Sequence, residues 1–89
     1  MNPDDIRATV LRILHQVAPD VDAATLDPAV AIQDQVDIDS VDFMNLMVGI
    51  EEALGVDVPE RDYPRVASLD ACVGYLSARV PLSPAGGPL

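Results

Sequence analysis

Apolar residues recur along this chain in stripes of helical spacing, separated by stretches rich in proline and aspartate. Ile6, Val10, Ile13, Leu14 and Val17 form one such stripe and predict a helix over about Pro3 to Ala18. Asn2 can cap its orphan N–H groups, Pro3 suits the first helical position, and Asp4 and Asp5 complement the positive end of the dipole. Pro19 closes it. Residues 19 to 38 carry two prolines and several aspartates, a composition of turns. Val21, Leu26, Val30, Ile32 and Val36 are spaced along this stretch and are expected to pin it across a core, with room for a single helical turn near Ala23 to Leu26. A loop this long lets the two helices it joins lie parallel.

A second main helix is predicted from about Ser40 to Leu54, capped by Asp39 or Ser40, with Asp42 in its first turn. Val41, Met44, Leu46, Met47, Val48, Ile50 and Leu54 give it a broad apolar face, so a central position is expected. Gly55 fits the left-handed residue after its last turn. Val56-Asp57-Val58-Pro59 then reads as extended, and Glu60 to Tyr63 as one short turn before Pro64. The last helix begins after Ser68 as cap and runs to about Arg79, with Leu69, Cys72, Val73, Leu76 and Val80 as its stripe. Residues 81–89 are expected to be a disordered tail. The predicted unit is therefore a single all-α domain over residues 1–80.

Charge narrows the choice of partner. Fifteen acidic residues stand against five arginines and no lysine, a formal charge of −10 over 89 residues. Such a chain lacks the cations needed to bind nucleic acid or an anionic membrane surface. It suits a partner with a basic patch. A hydrophobic content of 49% is enough for a core, and Phe43, Tyr63 and Tyr75 are its only aromatics, so the core should be aliphatic. Cys72 alone excludes an internal disulfide and a cysteine-built zinc cage, and its place in an apolar stripe predicts an inert thiol. The start Met-Asn-Pro-Asp-Asp lacks a basic, apolar leader, and no apolar run approaches the ~20 residues that span a bilayer. A cytoplasmic, monomeric protein is expected.

The candidate chemistry lies in Asp37-Ile38-Asp39-Ser40-Val41-Asp42, where the long loop meets the second main helix. A serine at a helix start is exposed, and the unpaired N–H groups there favour a phosphate. On the dipeptide alone, Asp-Ser before an apolar helix is most often an N-cap. A calcium loop fails on spacing: from Asp37, the fifth, sixth and twelfth positions hold Val41, Asp42 and Val48, where an oxygen ligand, Gly and Glu are required. A serine hydrolase or transferase needs a nearby base and an oxyanion site, yet His15 lies mid-helix and no Gly-x-Ser-x-Gly elbow exists. No metal site is expected.

Asp39-Ser40-Val41-Asp42, followed by an apolar helix ending in Glu51-Glu52-Ala53-Leu54 and then Gly55-Val56-Asp57-Val58-Pro59, resembles the acyl carrier protein family. The resemblance extends from Ile6 to about Val80 in helix order and loop length. It implies a four-helix bundle of three main helices and one short third helix, with a long first loop. It implies a 4'-phosphopantetheine arm on Ser40, moved there from coenzyme A by a phosphopantetheinyl transferase using Mg²⁺, with Asp39 as the motif's neighbour. The arm's thiol would hold acyl groups as thioesters for acyl-loading and acyl-processing enzymes of fatty-acid, polyketide or related lipid biosynthesis, and the carrier would perform no catalysis. Asp39, Val41, Asp42, Met44, Glu51 and Glu52 are then the candidate docking residues. Met44, Met47, Val48 and Leu76 are the candidate acyl-chain lining, although methionine at helical spacing usually fills a core. Val41 replaces the family's usual Leu, Asp37 a frequent Gly and Asn45 an often acidic residue. Phe43 and Gly49 are also less typical, and Pro64 shortens the third helix. These departures point to a specialised member. An aminoacyl or peptidyl carrier, and an unmodified acidic helical adaptor, remain the alternatives.

Overall fold

The computed structural model describes residues 2–80. Helix α1, Pro3–Val17, starts as its sequence dictates: Asp5 N–H donates to Asn2 Oδ1 at 2.8 Å, and Pro3 occupies the first turn. Its stripe of Ile6, Val10, Ile13 and Leu14 is buried. Ala18 N–H returns to Leu14 O at 2.7 Å, and the chain leaves at Pro19.

The long connection contains two short elements. A 3-10 turn at Ala23–Thr25 is capped by Asp22 and matches the helical turn expected there. A single-turn helix, α2, covers Ile32–Gln35 and had no periodic signal, because four residues offer only one core position, Ile32. Side-chain hooks hold the loop: Gln35 accepts from Asp27 N–H at 2.8 Å and donates to the carbonyls of Asp27 and Val30 at 2.7 and 3.0 Å. Ile32 N–H donates to Ala67 O at 2.8 Å, tying the loop to the start of the last helix. Leu26, Ile32 and Ile38 enter the core, and Val21 and Val36 pack partly against it. Val30, expected among these pins, is instead exposed. Its carbonyl holds Gln35 while its side chain turns outward.

Helix α3, Ser40–Leu54, ends at Gly55, whose φ of 71° lies in the left-handed region. Phe43, Leu46, Met47 and Ile50 are its buried residues. The central role expected for this helix belongs instead to α1, which packs against both α3 and the last helix. Val41, Met44 and Val48, read as part of the inward face, are 58%, 46% and 47% exposed. The helix is apolar on two sides, and only the side carrying Phe43 and Leu46 meets the core. Gly49 permits a close crossing, since a Cβ there would stand 2.6 Å from Ile13 Cγ2 on α1.

Val56 and Val58 are buried on either side of exposed Asp57, the alternation of an extended segment. A 3-10 helix then runs over Glu60–Val66. It passes through Pro64 instead of stopping there, and Val66 anchors its end in the core. Helix α4, Leu69–Ser77, is capped by Ser68, which accepts from Ala71 N–H at 3.1 Å. It ends two residues before the expected Arg79 and buries Tyr75 in addition to its aliphatic stripe. The Tyr75 hydroxyl donates to Asp62 at 2.7 Å, which fastens α4 to the 3-10 helix, and Arg79, just beyond the end of α4, stacks 3.5 Å over the Tyr75 ring. Burial pushes the Cys72 thiol up to about 12, in keeping with an inert core cysteine.

The architecture is the all-helical bundle of acyl-carrier type, with α1, α3 and α4 as its main helices and the 3-10 helix as the short one. The core is aliphatic apart from Phe43 and Tyr75. Among the described residues no helix is long and apolar enough to cross a membrane. The tail predicted over 81–89 lies outside the described residues.

Candidate functional site

Ile38, buried beside the start of α3, fixes the point at which the loop delivers its chain to the helix. Asp39 then takes the cap. Its Oδ1 accepts from Asp42 N–H at 2.8 Å, while Asp42 Oδ2 accepts from Asp39 N–H at 3.3 Å, a reciprocal capping box. The ambiguity between two possible caps is thereby resolved. Ser40 is the first helical residue and exposed, and the side-chain hydrogen bonds at this end belong to its acidic neighbours. It stands in the first turn, where the helix dipole and the N–H groups of the helix end favour a phosphate oxygen.

Along the outward side of α3 the predicted docking residues come together on one helix. Val41 and Met44 are followed by Val48 at helical spacing, all exposed. Asp39 and Asp42 flank this strip at one end and exposed Glu51 and Glu52 at the other, with Asn45 between them. The two acidic ends are ~15 Å apart at the helical rise. The face therefore has an apolar middle and charged ends, rather than a continuous acidic ladder.

The predicted acyl-chain lining does not form one surface. Met47 and Leu76 are in the core, whereas Met44 and Val48 are outside it. What the fold builds beside Ser40 is an open cleft of about 390 Å³ between α3 and the 3-10 helix. Ser40, Val41 and Met44 form one wall, Glu60, Tyr63 and Pro64 the other, and Gln33 of α2 closes one side. Phe43 lies at the bottom, its ring 5.4 Å from that of Tyr63 at 71°, an edge-to-face pair. Burial, then the carboxylates of Glu60 and Asp57, push the Tyr63 phenol up, so it stays a neutral donor. Phe43, Tyr63, Pro64 and Gln33 escaped sequence reasoning as site residues. The only available signal was the aromatic content of a chain that has three such residues.

A second depression of about 540 Å³ borders the same end of α3, between the C-terminus of α1 and the loop. Asp20, Asp22, Asp37 and Asp42 contribute its charge, and Val17, Val21, Val36 and Ile38 its apolar surface. His15, the one histidine, is exposed on α1 and lines neither depression.

These features fit a tethered prosthetic group: an accessible hydroxyl, a phosphate-compatible helix end, and an adjoining cleft with apolar walls and a polar rim. Comparison with known proteins agrees. The family described as phosphopantetheine attachment site matches residues 4–76. The chain is 23% identical over 73 residues to the acyl carrier protein of Rubrobacter xylanophilus, covering 79% of this chain and 90% of that protein. It is 24% identical over 58 residues to acyl carrier protein 2, mitochondrial, of Arabidopsis thaliana, covering 65% of this chain and 46% of that protein.

Proposed function

The chain belongs to the acyl carrier family, whose prosthetic group is 4'-phosphopantetheine, and from that premise we propose that Ser40 Oγ is the point of attachment. The observation that carries this reading is the division of labour at the helix start. Asp39 does the capping, so the exposed Ser40 hydroxyl has no structural duty. In the attachment step, Ser40 Oγ forms a bond to the pantetheine-bearing phosphorus of coenzyme A. The bond from that phosphorus to the bridging pyrophosphate oxygen breaks, adenosine 3',5'-bisphosphate leaves, and the hydroxyl proton passes to a base of the visiting transferase. The group, when bound, supplies a thiol that carries acyl units as thioesters. The protein's residues position and present it: α3 holds Ser40 at its tip, the cleft offers apolar walls, and the strip of Val41, Met44 and Val48 between two acidic ends offers a docking face.

We assign the carrier to fatty-acid, polyketide or related lipid biosynthesis, with a phosphopantetheinyl transferase and acyl-loading and acyl-processing enzymes as partners. Basic groups on those enzymes would meet Asp39, Asp42, Glu51 and Glu52, and apolar ones would meet Val41 and Met44. Incubation of the apo protein with coenzyme A, Mg²⁺ and a broad-specificity transferase should add the mass of one phosphopantetheine to the wild type and none to Ser40→Ala. An unmodified wild type, with a control carrier modified in the same tube, would refute the assignment and leave an unmodified acidic adaptor.

A further inference from the structure

Phe43 belongs at once to the cleft beside Ser40 and to the core cluster that contains Met47 and Leu76. Phe43 is buried and paired edge-on with Tyr63, so the two rings form part of the boundary between the cleft and the core. That pair is held from behind. The 3-10 helix that carries Tyr63 is tied to α4 by the Tyr75 hydroxyl on Asp62 at 2.7 Å. The guanidiniums of Arg65 and Arg79 stand 5.3 and 3.5 Å from the Tyr75 ring, and Val66 is fully buried at the end of the segment. Moving Tyr63 away from Phe43 as part of its helix would disturb the Tyr75–Asp62 bond, the Arg65–Tyr75 stacking and the burial of Val66 together.

We propose that the Phe43–Tyr63 pair is a floor that keeps cargo in the open cleft, making this a carrier for short acyl groups rather than one that takes long chains into its bundle. The inference rests on Ser40 bearing the arm. A flexible tether fixed at the cleft's own wall can fold its thiol end back between Val41, Met44 and Tyr63. The cleft, about 390 Å³, is open to solvent, so the part of a chain that outgrows it is left in water while its floor stays closed. The residues that limit cargo length are then Tyr63, on the 3-10 helix, and Phe43, on the buried side of α3 rather than in its exposed docking strip.

The test uses the holo protein loaded with saturated chains from acetyl to dodecanoyl, read by hydroxylamine cleavage of the thioester and by methyl NMR shifts. A chain entering the bundle multiplies its shielded population about fourfold for each further CH₂ buried. The wild type should show no such progression. Val41 and Met44 methyls should shift on loading with short chains, and those of Met47 and Leu76 should stay fixed throughout. Tyr63→Phe keeps the ring and should behave as wild type. Tyr63→Ala should open the floor, so that long chains become progressively resistant to cleavage and perturb Met47 and Leu76; if it does not fold, Tyr63→Leu replaces it. Progressive shielding in the wild type with Met47 and Leu76 shifts overturns the proposal, as does a flat series in the opened variant or unmoved Val41 and Met44. Failure of the underlying attachment is seen earlier and separately, as a missing mass gain on Ser40 before any cargo is loaded.

Discussion

Replacing Asp39 and Ser40 one at a time by alanine separates the capping role from the attachment role, since the two residues are adjacent and either is chemically able to cap. Asp39→Ala removes the acceptor for Asp42 N–H at 2.8 Å and leaves Asp42 Oδ2 with only the 3.3 Å half of the box. Loss of a cap costs about 1 kcal/mol, and loss of a carboxylate at a helix N-terminus adds about 0.3–1 kcal/mol. The sum of about 1–2 kcal/mol should lower the melting temperature, at roughly 4–8 °C per kcal/mol for a domain of this size. Asp39→Asn keeps an acceptor and should recover most of the loss. Ser40→Ala removes no hydrogen bond of the box and installs a better helix former, so it should lie within about 0.5 kcal/mol of wild type. Urea unfolding followed by far-UV circular dichroism gives these differences, and intact mass after incubation with the transferase gives the chemical one. The expected pattern is a stable but unmodifiable Ser40→Ala. A Ser40→Ala variant destabilised by about 1 kcal/mol or more, beside an unaffected Asp39→Ala, would show that Ser40 is the cap and remove the main structural support for attachment.

Gly49→Ala should destabilise the protein, because the ~1 kcal/mol gained in helix propensity is outweighed by about 1–3 kcal/mol of overpacking against Ile13. In an Ile13→Ala background the same change should be stabilising, and a denaturant double-mutant cycle with no coupling would contradict the close crossing. Alkaline conditions should weaken the fold from near pH 9: the folded Cys72 thiol is pushed from 9.0 to about 12, so the unfolded chain releases its proton first and stability declines as pH rises between them. Cys72→Ala should flatten this decline in urea midpoints measured between pH 9 and 10, leaving the slope contributed by Tyr63 and Tyr75, whose phenols are also raised from 10.0, and an unchanged slope would exclude the buried thiol as its source. Loading by the transferase should lose kcat/KM as salt rises to physiological strength, where the screening length is about 8 Å, and Glu51→Gln with Glu52→Gln should reduce that dependence. A salt-independent rate would remove the electrostatic part of the docking face.

Helix α1 was legible because its apolar residues occupy one side only and its start carries Asn2, Pro3, Asp4 and Asp5, each suited to its position. Gly55 and Ser68 marked the boundaries of α3 and α4 for equally local reasons, a left-handed turn and a hydroxyl cap. The orientation of α3 was not legible. Val41, Met44 and Val48 form a stripe as regular as that of Phe43, Leu46, Met47 and Ile50, and no local rule says which stripe turns inward. The choice is made by a tertiary fit, the Gly49–Ile13 crossing together with Phe43 meeting Tyr63. The same mechanism hid the cleft, whose far wall comes from a segment beginning six residues after α3 ends. Helix α2 escaped because a single turn has no period, and it exists through the reach of Gln35 across eight residues to Asp27.

The arginines lie away from the acidic charge near Ser40, as the proposed docking face requires. None lies between Arg12 and Arg61, a stretch that includes Asp37, Asp39, Asp42, Glu51 and Glu52. Arg7 instead meets Asp70 at 2.7 Å, linking α1 to α4, and Arg79 covers Tyr75. Exposed pairs of this kind add little stability, so their larger effect is to place cations on the α4 side of the molecule. A free phosphate near Ser40 would meet helix-end N–H groups and opposing carboxylates at once, with little net affinity. The covalent attachment proposed at Ser40 would remove the need for that affinity. The carboxylates would then stay available to attract basic partners, and the helix end would have only to tolerate the phosphate that the bond holds in place.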